Sequence, residues 1–258
     1  MLIIGNDMNK QELLENERID DLEVNNLKII QKKDGFCFGI DSVLIANFVD
    51  KIKKNAIIYD LGTGTGIISI LIAGKKENVG KVYAVEIQKD MAEMAKRSVS
   101  INKLDEKIEI INEDLNNLKD KKHTKSADIV VTNPPYKKMD TGLINENKQK
   151  LISRHEYKCN LEDIIETSSK LLKDNGFFYM VHRPERLVDI SVLMRKYKIE
   201  PKEIRNVYSK EGEDAKLILI KGTKCGKPFL KIKKPLIIYD ENGEYTDEIY
   251  DIYGKKRR

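Results

Sequence analysis

Tryptophan is absent from the 258 residues, and histidine and cysteine occur three times each. His123, His155 and His182 are scattered without metal-ligand spacing, so no metal centre is expected. Cys37, Cys159 and Cys225 are odd in number and far apart, which excludes a disulfide framework and fits a reducing compartment. No apolar run approaches a membrane span, and no charged n-region precedes an apolar h-region, so the expected location is cytoplasmic. A strong charge of one sign is also missing: 47 Lys and Arg against 42 Asp and Glu leave +5. Arginine supplies nine of those cations, and the excess of Lys, Ile and Asn reads as a bias towards A/T-rich codons. Total lysine therefore says little about nucleic acid, and the distribution of charge matters more. A chain of this length can bury a full core, and one α/β domain with appendages is expected.

Proline is sparse, with six in all, yet two stand together. The short β-branched run Asp128-Ile129-Val130-Val131-Thr132 reads as a buried parallel strand, and Asn133-Pro134-Pro135-Tyr136 closes it. The prolines fix their own φ and bias the residues before them away from helix, so the backbone leaves the strand as a stiff polar rim. Such a rim suits attack by an exocyclic amine or a carboxamide, whose lone pair is delocalised. The Asn133 side-chain oxygen and the Pro134 carbonyl can accept hydrogen bonds from that NH2 and free its lone pair, while Tyr136 offers a flat face for an unstacked base. The bland alternative is an Asn-Pro turn with Tyr136 as an anchor.

Lys10 to Arg18 suits one short charged helix or nothing regular. Leu22 to Gln31 reads as a hairpin around Asn25-Asn26. Gly35-Phe36-Cys37-Phe38-Gly39-Ile40-Asp41 leads to a helical pattern through Phe48, with Asp41 or Ser42 as its cap. Ala56 to Leu61 is a buried strand, and Gly62-Thr63-Gly64-Thr65-Gly66 opens the helix Ile67 to Ala73. Glycines at alternate positions let the backbone turn sharply and approach a ligand at a helix N-terminus. Ile67 stands where a nicotinamide fingerprint wants its third glycine. Strand Lys81 to Val85 ends in Glu86, an acid placed for two ribose hydroxyls. Strand Lys107 to Ile111 precedes Asp114, which can meet an adenine amino group. Each acid alone is more often a surface residue or cap, but three such strand ends in series are harder to dismiss. Leu161 to Lys173 reads as an amphipathic helix stopped by Asn175-Gly176, Phe177 to Val181 as a strand and Pro184 to Tyr197 as a helix. Ile204 to Tyr208 with Leu217 to Lys221 forms a closing hairpin.

On these residues the chain resembles the class I S-adenosylmethionine-dependent methyltransferases that modify amino groups. More closely, it is similar to the bacterial family that methylates N6 of the adenosine just 3′ of the anticodon in a valine tRNA. The resemblance runs from about Arg18 to Gly254. It includes Gly35 to Leu44, Ser153-Arg154-His155-Glu156, His182-Arg183-Pro184-Glu185-Arg186, and Pro235 to Tyr239 with Tyr245-Thr246. It implies a doubly wound, seven-stranded, mostly parallel sheet of Rossmann-like kind, with S-adenosylmethionine as cofactor and tRNA as partner. It further implies that Asp60, Gly62, Gly64 and Gly66 hold the methionine end, Glu86 the ribose, and Asp114 with Leu115 the adenine. Gly39 and Asp41 close over the methionyl portion, although Ile40 and Cys37 depart from the Thr and basic residue of the family. Asn133, Pro134, Pro135 and Tyr136 are the implied catalytic tetrad.

Residues 1–50 are then an extension with a cofactor-covering segment, 51–222 the methyltransferase domain, and 223–258 a C-terminal extension with a basic tail. RNA contacts are expected from Lys137, Lys138, Lys148, Lys150 and Arg154 after the tetrad and from Lys255, Lys256, Arg257 and Arg258 in the tail, although charge runs are usually just solvated. No membrane, metal or obligate protein partner is expected. Two rival readings remain open. One is a glutamine-amide methyltransferase of release factors, which shares the tetrad but has a helical bundle where this chain has a hairpin. The other is an RNA-binding protein with a vestigial cofactor site.

Overall fold

A computed structural model describes residues 13–34, 39–120, 122–136, 160–255 and 257. The antiparallel hairpin β1 (Glu17–Asp21) and β2 (Lys28–Lys32) turns at Asn25 and Asn26, whose φ values of 50° and 55° suit asparagine. Glu17 and Arg18 thus lie in a strand, not in a helix reaching Arg18. The Glu17 carboxylate is drawn inward by Arg97, with two bonds of 2.5 and 2.6 Å.

Helix α1 (Ile40–Phe48) leads into β3 (Ala56–Leu61), α2 (Ile67–Lys75), β4 (Val79–Val85), α3 (Lys89–Ile101) and β5 (Ile108–Ile111). A 3-10 turn (Leu115–Lys119), β6 (Ala127–Thr132), α4 (Leu161–Leu171), β7 (Leu172–His182), α5 (Leu187–Lys196), β8 (Ile199–Tyr208) and β9 (Ala215–Lys224) follow. Three short pieces close the chain: β10 (Lys231–Ile232), β11 (Leu236–Ile237) and α6 (Asp247–Tyr253). The long strands are ordered β8-β9-β7-β6-β3-β4-β5, with β9 antiparallel to both its neighbours and the rest parallel. This is the expected seven-stranded sheet, enlarged where β10 and β11 pair in parallel with edge strand β8.

Alternate side chains fill the two faces, as the two-residue period of a strand requires. Ile129 and Val131 face a core built with α1 and α2, while Val130 faces one built with α4 and α5. Helix α4 starts at a capping box in which the Asn160 side chain accepts from the Asp163 N–H. It ends at Leu171, two residues early, and β7 begins at once. Asn175-Gly176 therefore lies inside a strand, where Asn175 takes a φ of 65° and the β6–β7 register shifts between Ala127 and Ile129. Pro184 opens a separate 3-10 turn (Pro184–Arg186) before α5. The strand order reverses between β3 and β6, and in sheets of this kind ligands bind at such a point, outside the carboxyl ends of the strands.

Candidate active site

Leu61 and Thr132, the last residues of β3 and β6, are paired in register, and the Thr132 hydroxyl donates to the Leu61 carbonyl at 2.8 Å. The glycine loop and the Asn-Pro-Pro-Tyr segment consequently leave the sheet side by side. Gly62, Gly64 and Gly66 have φ values of 74°, 60° and 92°, a region that disfavours side chains. A Cβ at Gly62 or Gly64 would meet nothing within 4 Å, so both border open space. The Gly62 and Thr63 N–H groups donate to the Val85 carbonyl, tying the loop to β4.

Asp60 is fully buried under this loop. Its Oδ2 accepts from Thr63 Oγ1 at 2.6 Å and Ser69 Oγ at 2.7 Å, but its Oδ1 is buried without a partner. Burial, with a smaller contribution from the nearby Glu86 charge, pushes the carboxyl up to about 6. Glu86, at the end of β4, accepts from the Gly64 N–H at 2.9 Å and the Gln88 N–H at 2.8 Å. Each of its oxygens keeps a lone pair for a further donor. Asp114 caps the 3-10 turn by accepting from the Asn116 N–H at 2.9 Å, and Leu115 is buried behind it. An orphaned buried acceptor beside a cradle that borders open space fits a ligand carrying both a cationic amine and a sugar, as S-adenosylmethionine does.

Across the cradle, Tyr136 folds towards the protein. Its hydroxyl lies 2.6 Å from Asp41 Oδ2 and 2.7 Å from Asn133 Oδ1. Burial and the adjacent Asp41 carboxylate both push its ionisation far above the usual phenol range. Asn133 Nδ2 donates to Ser42 Oγ at 3.2 Å, so the amide is aimed at α1, within the site. Pro134 is buried and Pro135 exposed. Asp41 does not cap α1. Gly39 is the N-cap and has no side chain to bond the helix start, while Asp41, inside the first turn, accepts from the Ser42 N–H at 2.9 Å and from the Tyr136 hydroxyl. A Cβ on Gly39 would come within 2.7 Å of Asp41 Oδ1.

Three participants were visible in the sequence, Ser42 as a cap candidate and His182-Arg183 as part of the resemblance, but without a role at this site. Ser42 bonds the Asn133 amide. His182, at the end of β7, meets the Tyr136 ring edge-on, with centroids 5.4 Å apart, and Arg183 holds its guanidinium 5.3 Å from the centre of that ring. Burial first and then the Arg186 charge lower His182 to about 4, so the ring is neutral near pH 7, and its Nδ1 accepts from the Arg183 N–H at 2.8 Å. The signal available was a polar pair at the end of a buried strand, one residue past the level of Asn133.

Lys137, Lys138, Lys148, Lys150, Arg154, Lys256 and Arg258 lie outside the described residues. The tail cations that are described are engaged. Lys255 bonds Glu23 at 2.6 Å, and Arg257 bonds both Asp240 and Asp247. Among the described residues no group of three or more His, Cys, Asp and Glu could hold a metal ion, and no helix is long and apolar enough to cross a membrane.

Sheet order, glycine cradle and strand-end acids together define a class I methyltransferase fold. A model of the methyltransferase small domain family matches residues 38–197, and the chain belongs to that family. It is similar to the tRNA1(Val) (adenine(37)-N6)-methyltransferase of Phocaeicola vulgatus, with 27% identity covering 82% of this chain and 89% of the relative. The enzyme of the same name from Haemophilus influenzae strain KW20 is 23% identical over 83% and 88% of the two chains. Among solved structures, a predicted O-methyltransferase of Agrobacterium tumefaciens shares the fold with a TM-score of 0.68 and 24% identity, over 83% of this chain and 95% of that one. M. jannaschii TYW2 in complex with AdoMet has a TM-score of 0.55 at 16% identity, over 82% and 87%.

Proposed function

We propose that this enzyme transfers a methyl group from S-adenosylmethionine to N6 of the adenosine next to the anticodon of a valine tRNA. The observation that carries the reading is the Asn133–Tyr136 segment standing beside the glycine cradle, in a chain that matches tRNA1(Val) adenine-N6 enzymes over 82–83% of its length. S-adenosylmethionine supplies an electrophilic methyl group on a sulfonium.

The cradle of Gly62, Gly64 and Gly66, with the unpaired Asp60 oxygen, takes the methionine end. Glu86 takes the ribose hydroxyls, Asp114 and Leu115 the adenine, and Gly39 with Asp41 covers the amino-acid portion. Asn133 Oδ1 and the Pro134 carbonyl would accept from the target amine and draw its lone pair out of conjugation, so that N6 could take the methyl group as the sulfonium S–C bond breaks and give up one proton to water. The amine thereby takes the position at Asn133 Oδ1 that the Tyr136 hydroxyl holds in this structure. The freed Tyr136 ring then stacks on the base, with Arg183 moving off its face. Mass spectrometry of tRNA nucleosides from cells lacking the gene tests this reading. N6-methyladenosine should vanish from valine tRNA, and its persistence at the wild-type level would overturn the assignment.

A further inference from the structure

The tail lysine and arginine that look like an RNA handle are bound to acids, but another basic segment is not. Residues 224–234 carry five lysines and no acid. Among the described residues Lys227, Lys231 and Lys234 have no ion pair, whereas Lys233 reaches Glu203 at 3.6 Å. Interleaved with them, Phe229, Leu230 and Ile232 are 88%, 47% and 62% exposed. Phe229 also holds a φ of 96°, a conformation that suits glycine, with its side chain largely in solvent. The segment is nevertheless fixed. Lys202 Nζ donates to the Lys227 and Pro228 carbonyls at 3.0 and 3.2 Å, β10 pairs with β8, and Arg205 Nε donates to the Lys234 carbonyl at 3.0 Å.

We infer that this ridge, running along edge strand β8 from Lys227 to Lys234, is a docking surface for the phosphate backbone of the substrate RNA. Phe229 lies against a ribose or an unpaired base. The inference rests on the tRNA reading above. Charge complementarity selects this occupant: unpaired cations three and four residues apart, with an exposed aromatic between Lys227 and Lys231, match a polyanion that also offers flat faces. A second copy of the chain would bring two lysine rows together and be repelled. The β10 edge lies four strand steps from β6, roughly 19 Å at about 4.8 Å per step. Because β10 and β11 run parallel to β8, the ridge climbs towards the strand ends that carry the site. It can thus hold an RNA arm while one nucleotide reaches Asn133.

The test uses the full chain with unmodified tRNA. A triple variant, Lys227→Gln with Lys231→Gln and Lys234→Gln, is compared with wild type and with a charge-matched control, Lys54→Gln with Lys103→Gln and Lys198→Gln. Binding is followed by fluorescence anisotropy from 50 to 200 mM salt, and methylation is measured as kcat and KM. Three lost phosphate contacts should flatten the salt dependence by about 40-fold over that range, at a slope of about 0.9 per contact. KM for tRNA should rise with kcat retained, Phe229→Ala should raise KM further, and the control should behave as wild type. An unchanged salt slope and KM in the triple variant, while the wild type still methylates tRNA, overturns the ridge and leaves the activity standing. Failure of the wild type to bind tRNA removes both. Self-association of the wild type that Phe229→Ala abolishes, with tRNA binding intact, assigns the ridge to a second copy and overturns the inference.

Discussion

Asn133 sits where two demands meet, since in the proposed reaction its oxygen accepts from a substrate amine and in this structure its nitrogen donates to Ser42 Oγ. Replacing it with Ala should lower kcat by about 10²-fold or more, the usual cost of one preorganised polar partner, with cofactor affinity by calorimetry nearly unchanged. Tyr136→Phe, which keeps the ring and removes a hydroxyl the base must displace, should retain activity in the same assay. Asp60 adds a pH signature. Its native value near 6 lies above the unfolded value, so the native state holds the proton more tightly. The carboxylate therefore costs about 3 kcal/mol at pH 7.5, a cost that shrinks as pH falls through 6 and is nearly gone by 4. Thermal denaturation of Asp60→Asn should show its melting temperature, relative to wild type, dropping as pH is lowered from 7.5 to 4. A difference independent of pH would mean that the buried carboxylate is not strained. His182 works in the opposite direction. Its native value is depressed, so its contribution is full above about 6.5 and fades towards 4, but it is common to both proteins and cancels in the comparison.

At the scale of elements, the hairpin is secured to α3. Beyond the Glu17–Arg97 pair, the Ile30 N–H donates to Ser98 Oγ and the Lys28 N–H to Asn102 Oδ1, both at 2.9 Å. Arg97→Met would leave the Glu17 carboxylate with only the Leu14 N–H as a close partner, a loss of about 1–3 kcal/mol. Arg97 holds the Glu17 carboxyl below the usual range, so the pair's contribution is present above the unfolded value near 4.5 and lost as pH falls through the native one. Urea unfolding should show the variant's deficit at pH 7 and a smaller one at pH 4. Strands β3 to β6 were legible because each is a short β-branched run closed by glycine, an acid or proline, and their ends fell within two residues of expectation. The start of β7 was hidden because α4 passes into it without a gap, so Asn175-Gly176 mimicked a helix stop. β10 and β11 have two residues each, too short to show a period, and only their pairing with β8 reveals them. The glycine loop and the Asn-Pro-Pro-Tyr segment were legible as motifs, and the structure sets them side by side. What Asp41, Ser42, His182 and Arg183 do there depends on which strand ends become neighbours, and local sequence does not encode that.

For the whole molecule, near-neutral charge conceals an uneven distribution, with some lysines spent on acids and others, along the β8 edge, left for a partner. The same sheet therefore presents the proposed methyl-transfer site at its switch point and a basic flank at one edge. In the proposed reaction the Asn133 rim activates an adenine amine of tRNA. The most direct test is to incubate the purified chain with methyl-labelled S-adenosylmethionine, unmodified valine tRNA and, separately, a release factor, and then to digest and identify the labelled product. The account predicts label only in tRNA, recovered as N6-methyladenosine from the position beside the anticodon. Label on a release-factor glutamine, or on no substrate while the cofactor binds, would contradict it.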